Sequence, residues 1–142
     1  MTKETATDAR TPDPAAIAAM MPLCATLGIT ISKARPDEVR ATMDHSPERC
    51  TTFGVLHGGA IMALADTAGA VCASMHLPDG AGTATIESKT NFFRAVTDGH
   101  VEAISIPLHV GRSTIVVQTD VVRADGKPVT RTTQTQAVLD RA

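Results

Sequence analysis

Leu56-His57-Gly58-Gly59 opens the stretch L-H-G-G-A-I-M-A-L-A-D-T-A-G-A-V-C-A-S-M-H-L-P, residues 56–78, which is the longest apolar run in the sequence. Asp66 is its one charged residue. Apolar or small side chains occupy nearly every other position, which is typical of a helix that is buried on all sides. The run is too long for one strand, and its length and glycines do not suit a membrane span. We therefore predict a buried central helix over about residues 57–77 that begins with His-Gly-Gly and ends before Pro78.

The carboxylate of Asp66 has two explanations that the residues alone leave open. It could lie on a narrow solvent-facing strip, because carboxylates are seldom fully buried unless they are paired, or it could carry chemistry. The residues at helical neighbour spacings around it are mostly small: Gly59, Met62, Ala63, Gly69, Ala70 and Ala73. Such a smooth face suits close approach by another backbone or by a thin ligand. Gly58 and Gly59 could likewise serve only as a tight entry to the helix.

Composition narrows the classes of function. A chain of 142 residues, 43% of them hydrophobic, is expected to form one domain with its own core. Its net charge of −2 argues against a basic nucleic-acid surface, and neither nucleic acid nor a membrane is an expected partner. The polar N-terminus has no apolar signal region, so we expect a cytoplasmic protein. Cys24, Cys50 and Cys72 are widely spaced, which indicates free thiols in a reducing compartment.

The rest of the chain predicts one short helix and six strands. Residues 1–13 are rich in Thr, Asp and Pro, so we expect a disordered tail before a single domain over residues 14–142. Asp13 as N-cap and Gly28 as C-terminal stop predict one helix over Pro14–Leu27. Strand and turn signals predict the strands Ile29–Lys33, Val39–His45, Thr83–Phe93, His100–Val110, Ser113–Arg123 and Val129–Leu139.

Alternation of side chains predicts which residues share a strand face. Thr85 and Glu87 fall on one face of their strand, with Ile86 on the other. Pro107 cannot donate to a ladder and is expected at a bulge or an edge, in a strand with one apolar face made of Ile104, Ile106, Leu108 and Val110. The next strand aligns Ile115, Val117 and Val121. Short turns, such as the hairpin signal at residues 125–126, imply that the last four strands form an antiparallel meander.

The predicted architecture is α+β, a curved antiparallel sheet wrapped around the central helix, because that helix is the only large apolar partner for the sheet. This arrangement resembles the hotdog fold. Four segments resemble the PaaI-like acyl-CoA thioesterases, relatives of the bacterial hydroxybenzoyl-CoA thioesterases: Gly54–Gly59, Leu64–Ala68, Asn91–Ala95 and Gly111–Ser113. The resemblance covers about residues 20–139, and its most specific element is H-G-G followed by an acid on an apolar helix.

The resemblance implies a catalytic group of three residues. The backbone N–H of Gly58 would point at the thioester carbonyl, and a helix N-terminus suits that role because its first N–H groups are unpaired and carry partial positive charge. Asp66 would be the nucleophile or the general base, and His57 would orient the turn or take part in the chemistry. The implied reaction hydrolyses an acyl- or aryl-CoA to the free acid and CoA. It needs no cofactor, since coenzyme A is part of the substrate.

The resemblance also implies two sets of binding residues. The substrate-binding set is Thr51, Gly59, Thr85 and Glu87. Relatives often carry Asn or Gln six residues before the His, where this chain has Thr51, whose hydroxyl is shorter; this leaves the rate and the substrate class open. The CoA arm would be held by Phe92, Phe93, Arg94, His109, Gly111, Arg112 and Ser113. The two arginines are candidates for the phosphates, although they could equally be solvated surface charges.

The positions of Gly58 and Asp66 predict a site shared between two chains. Eight residues of helix span roughly 12 Å, so one helix cannot bring both groups to one thioester carbon. Two antiparallel helices from two chains can do so, and the resemblance implies a homodimer as the functional unit, often paired into a homotetramer.

Other classes fit less well. An α/β-hydrolase would need G-x-S-x-G, which is absent, and the five histidines lack zinc-ligand spacing, so no metal is expected. A non-catalytic acyl-CoA-binding hotdog module would have no need of an acid at Asp66. A hotdog hydratase or dehydratase would need a His–acid pairing that is not found here. These two hotdog functions remain as alternatives, and the acyl group is not indicated.

Overall fold

The structure is a computed structural model that describes residues 12–140. The disordered tail predicted for residues 1–13 lies outside the described residues, apart from its last two. One of these, Asp13, has the predicted role of N-cap: its side chain accepts a hydrogen bond from the N–H of Ala15 at 3.1 Å.

The single N-terminal helix predicted over Pro14–Leu27 is wrong, because the structure has two helices, α1 (Pro14–Ala19) and α2 (Pro22–Leu27). The proline that opens α2 lacks an N–H and disfavours helical backbone at the residue before it. That residue, Met21, is accordingly extended, with φ −116° and ψ 94°. Gly28 ends α2 in the left-handed region at φ 65°, as predicted.

Within residues 12–140, six strands form one antiparallel sheet: β1 (Ile29–Ala34), β2 (Val39–Asp44), β3 (Gly82–Phe92), β4 (His100–Val110), β5 (Thr114–Arg123) and β6 (Pro128–Leu139). Their order across the sheet is β1-β2-β4-β5-β6-β3. β4, β5 and β6 form the predicted meander. The prediction is wrong for β3, which pairs with β6 instead of β4 and therefore lies at one edge of the sheet.

A long helix, α3 (Gly58–Ser74), packs against one face of this sheet, which confirms the predicted sheet wrapped around a central helix. The buried side of α3 contributes Ile61, Leu64, Ala65, Ala68, Val71 and Cys72 to the core. Burial on all sides is wrong for the single chain, because Gly59, Met62 and Asp66 lie on an exposed strip of the helix. Within residues 12–140, no helix is long and apolar enough to span a membrane.

Two β-bulges break the predicted alternation of side chains. Each adds one residue to its strand, Ile86 in β3 and Leu108 in β4. Thr85 lies opposite a buried residue of β6 and faces the helix, whereas Glu87, beyond the bulge, lies on the other face of the sheet. The predicted common face for Thr85 and Glu87 is therefore wrong. The bulge next to Pro107 confirms the prediction for that residue.

The bulge in β4 also makes the predicted common face of Ile104, Ile106, Leu108 and Val110 wrong. Before the bulge, Ala103 and Ser105 face the helix and are fully buried, so the isoleucines between and after them lie on the outer face. The alignment predicted in β5 is confirmed, since all three of its members are buried beneath α3: Ile115, Val117 and Val121.

Candidate active site

The N-terminus of α3 is capped by the residue that precedes it. The Nδ1 atom of His57 accepts a hydrogen bond from the N–H of Gly59 at 2.8 Å, and the His57 carbonyl accepts those of Ala60 and Ile61. Among residues 12–140, the N–H of Gly58 finds no hydrogen-bond partner. This free N–H stands at the positive end of the helix dipole, where a developing negative charge is stabilised. The ring of His57 is engaged in orienting the turn, one of its two predicted roles.

A cavity of about 340 Å³ adjoins this turn. It brings together five of the residues predicted for the site, Thr51, Gly58, Phe92, Phe93 and Arg94, with Ile61 and Leu56 at its apolar wall. The Phe92 ring lies 3.2 Å from the position that a Cβ on Gly58 would take, so the glycine allows the ring to approach the helix. The cavity thus joins the free N–H to part of the predicted CoA-binding set.

Asp66 lies two turns further along α3, on its exposed strip. One carboxylate oxygen, Oδ1, accepts a hydrogen bond from the Nε2 group of Gln134 in β6 at 2.5 Å. The same Nε2 lies 3.4 Å from the hydroxyl of Thr85, and Gln136 donates to that hydroxyl at 2.8 Å. The acid and the threonine, which were predicted separately for catalysis and for substrate binding, are therefore linked through the buried Gln134, and Gln136 holds the threonine.

Glu87 lies apart from this group. It pairs with Thr135 on the outer face of the sheet, while α3 covers the inner face. Within one chain, the bulge therefore separates Glu87 from Asp66 and from Thr85.

The predicted CoA-binding residues form two clusters at opposite ends of β3. Phe92, Phe93 and Arg94 lie at the end of β3, beside the start of α3. The second cluster surrounds the turn between β4 and β5 and consists of His109, Gly111, Arg112 and Ser113. This turn lies near the start of β3, because Thr114 of β5 pairs with Ala137 of β6, which in turn pairs with Ala84 of β3. The rise of a strand places the clusters roughly 25 Å apart. Within one chain the two clusters therefore do not meet.

The two groups predicted for catalysis are also separated. The N–H of Gly58 and the carboxylate of Asp66 lie on one straight helix, eight residues apart, which corresponds to about 12 Å along the axis. A reacting carbonyl must be about 3 Å from its oxyanion donor. The geometry of the described chain therefore offers an oxyanion donor and an acid, but not for one carbonyl.

The polar side of β6 was not identified from the sequence, although its residues were visible there as Thr and Gln on alternate positions. Thr130, Thr132, Gln134 and Gln136 are each no more than 1% exposed and all face the helix. Period-two spacing could have shown that the four share one face. It could not show that this face, rather than the one with Thr133 and Thr135, points to the core.

Across residues 12–140, no group of three His, Cys, Asp or Glu side chains is placed to hold a metal ion. The three cysteines are free, as predicted. Burial, with a smaller effect of Asp37, raises the pKa of the Cys72 thiol to about 11, and burial also raises that of Cys24.

Comparison with known protein families gives a match over residues 53–130 to a model described as the thioesterase superfamily. Among curated proteins, the proofreading thioesterase EntH of Cronobacter sakazakii is 37% identical over 86 residues. That alignment covers 61% of this chain and 63% of the relative, so the matched part is less than two thirds of the relative's length.

Solved structures match over more of the chain. A thioesterase from Haemophilus influenzae superposes with a TM-score of 0.87 and 30% identity, covering 92% of this chain and 93% of that one. A mutant thioesterase from Pseudomonas aeruginosa superposes with a TM-score of 0.86 and 28% identity, covering 92% and 96%.

Proposed function

This chain belongs to the thioesterase superfamily, and from that premise we propose that it hydrolyses the thioester of an acyl-CoA in a site shared by two subunits. The hotdog fold and the thioester hydrolase activity that the sequence resemblance implied are confirmed by the family match and the structural relatives. The proposal adds the CoA substrate, the roles of individual residues and the dimer.

The observation that carries the proposal is the free N–H of Gly58 at the start of α3, next to a cavity. When a nucleophile attacks a thioester, the carbonyl oxygen becomes an oxyanion, and a fixed N–H at a helix N-terminus stabilises it. One such donor typically lowers the barrier by about 3 kcal/mol. The His57 cap keeps the neighbouring N–H occupied, which leaves Gly58 as the donor.

Asp66 would act on the opposite side of the same carbonyl carbon. As a general base it takes a proton from water while the water oxygen bonds to the carbon; the C–S bond then breaks, and the CoA sulfur leaves with a proton. As a nucleophile it forms a mixed anhydride that water then hydrolyses. Both routes consume one water and need no metal or nucleotide, and the position of Asp66 on an exposed strip suits either.

The free edge of β3 supports the dimer. This strand has 11 residues and, among residues 12–140, pairs only with β6, and it exposes large apolar side chains, including Ile86 at 63% and Phe92 at 50%. Proteins seldom leave so long an edge unpaired. Antiparallel pairing of β3 with β3 of a second copy would place the end of one strand beside the start of the other.

That pairing would also assemble the site. It would bring the cluster at Arg94 of one chain towards the cluster at Arg112 of the other, so that one CoA arm could meet both. The two α3 helices would run antiparallel, with the Gly58 end of each near Asp66 of the other. We further propose that such dimers pair into tetramers through outer faces of the sheet, where Ile106 is exposed.

An apolar groove favours an aliphatic acyl group. It begins at Ala70, one helical turn beyond Asp66, and has a volume of about 230 Å³. Its walls are Ile17, Met20, Met21, Val71, Ser74 and Thr83. Thr83 is on the same face of β3 as Thr85, so the groove lies next to the hydrogen-bonded group of Thr85, Gln134 and Asp66. The methionine side chains of this wall can adapt to an alkyl chain.

The experiment measures thiol release from a panel of short, long, branched and aryl acyl-CoAs, with EDTA present. We expect hydrolysis, with the highest kcat/KM for an aliphatic acyl group. Asp66→Asn keeps the side-chain shape and should lower kcat at least about 10²-fold, the low end for loss of a general base. Asp79→Asn, in the exposed turn after α3, is the matched control and should not change kcat. A folded Asp66→Asn variant with the turnover of the parent protein would remove Asp66 from the mechanism.

A further inference from the structure

Gln134 occupies an unusual position in the core. It is 1% exposed, on the face of β6 that α3 covers, and it is the one described side chain that donates a hydrogen bond to Asp66. Its amide oxygen, Oε1, is buried without a hydrogen-bond partner among residues 12–140. A buried unpaired amide oxygen destabilises a fold. Stability alone would therefore favour an apolar side chain at this position, so the glutamine needs another explanation.

The orientation of the amide follows from its surroundings. If oxygen and nitrogen were exchanged, an amide oxygen would face the Oδ1 atom of Asp66 at 2.5 Å, which is repulsive. Nε2 therefore faces the acid, and Thr85 lies on its other side at 3.4 Å, itself held by Gln136 at 2.8 Å. The Nε2 donor of Gln134 is thus held in place by neighbouring side chains of the sheet.

A gap in α3 makes room for this side chain. The Oε1 atom of Gln134 lies 2.2 Å from the position that a Cβ on Gly69 would take. Any residue larger than glycine at that position would push the amide away from the helix. Glycine inside a helix is less favourable than alanine by up to about 1 kcal/mol. The helix α3 nevertheless has glycine at position 69, three residues after Asp66, where the amide of Gln134 lies against it.

We infer that Gln134 is a positioning residue: it holds Oδ1 of Asp66 and leaves the second carboxylate oxygen, Oδ2, free for water or the thioester carbon. The inference rests on the proposed role of Asp66. A neutral amide suits this task because it fixes the direction of the carboxylate without adding the positive charge that a lysine or arginine would bring. Without it, an aspartate on an exposed helix strip moves among several staggered rotamers, and only part of the population is productive.

The test is a double-mutant cycle between Asp66 and Gln134. Gln134→Met keeps the volume, removes the donor and also removes the unpaired oxygen. We expect kcat to fall about 10-fold, KM to change less than 2-fold, and the thermal unfolding midpoint to stay level or rise. Thr132→Val, on the same buried face, is the control and should leave kcat within 2-fold. In the Asp66→Asn background, Gln134→Met should lower kcat no further, since it acts only through the acid.

A second variant tests the same contact from the helix. Gly69→Ala should displace the amide and lower kcat by a similar factor, although alanine is the better helix former. If Asp66→Asn is inactive while Gln134→Met and Gly69→Ala both keep full kcat, the inference is wrong and the proposed function stands. If Gln134→Met lowers kcat equally in both backgrounds, Gln134 acts independently of Asp66, and the inference is again wrong. If Asp66→Asn retains full activity, the proposed role of Asp66 and the inference fail together.

Discussion

The shared site predicts that two inactive variants restore each other. Asp66→Asn removes the acid, and Gly58→Pro removes the oxyanion donor. Proline is well suited to this change, because Gly58 is the first residue of α3, where proline is tolerated, and its N–H is unpaired. His57 before it is already extended, at φ −63° and ψ 131°, which is the backbone that precedes a proline.

The matched control for the proline is Gly58→Ala. It adds a Cβ at the same place, 3.2 Å from the Phe92 ring, but keeps the N–H. Gly58→Pro should lower kcat by about 10²–10³-fold, the usual effect of losing one oxyanion donor, while Gly58→Ala should lower it only a few-fold. A loss in both variants would point to crowding against Phe92 instead of loss of the donor.

The activity expected of the mixed dimer follows from the separation of about 12 Å between the Gly58 N–H and the Asp66 carboxylate on one helix. If each site takes its donor from one chain and its acid from the other, a heterodimer of the two variants has one site with both defects and one with none. Its activity should be about half that of the parent dimer. If each chain supplied its own site, both sites would carry one defect, and at most about 1% would remain.

The assay uses two affinity tags, co-expression of Asp66→Asn with Gly58→Pro, tandem purification and measurement of thiol release. Native mass spectrometry verifies that each purified particle contains both chains. Random mixing without purification should give about a quarter of the parent activity, because half of the dimers are mixed and each has one intact site. Purified heterodimers as inactive as both parents would refute the shared geometry.

Two further predictions concern the arginines and a thiol. Arg94→Ala and Arg112→Ala should raise KM for an acyl-CoA at least about 10-fold more than for the matching acyl-pantetheine, which lacks the nucleotide phosphates. The control Arg35→Ala should leave both KM values unchanged. Equal effects on both substrates would place Arg94 and Arg112 away from the phosphates. Because burial raises the pKa of Cys72 from 9.0 to about 11, its thiolate fraction at pH 8 is about 100-fold lower than that of an ordinary thiol. Iodoacetamide should therefore modify the half-buried Cys50 first in the native protein and both equally in urea, as peptide mass spectrometry would show.

The sequence predicted the elements better than their faces. The apolar run, the N-cap Asp13 and the Gly28 stop follow from local chemistry, and each lies where it was expected, although Pro22 divides the first helix. The bulges at Ile86 and Leu108 depend on how strands pair over long distances, so no local pattern marks them. A one-residue bulge reverses every face beyond it.

The same limit explains which residues of the candidate site could be predicted. Gly58 and Asp66 are recognisable because a helix start and an acid on an apolar helix are local features. Gln134 is not, because its contact with Asp66 spans 68 residues and depends on which face of β6 meets the helix. The order of strands in the sheet, which the chain order does not fix, brings Gln134 of β6 to the carboxylate of Asp66.

The proposed dimer also accounts for the one strong sequence signal that the single chain contradicts. The run after His57 is apolar on all sides, yet one chain buries only the side of α3 that meets its own sheet and leaves Met62 40% exposed. Gly59 and Ala63 on the same strip give a second helix close approach, and Asp66 is the only charge there. A second copy lying antiparallel along this strip would cover it and would place a helix N-terminus near the carboxylate. The strip would then be small and apolar because it is buried between subunits, and it would hold one acid because that is where the thioester must react.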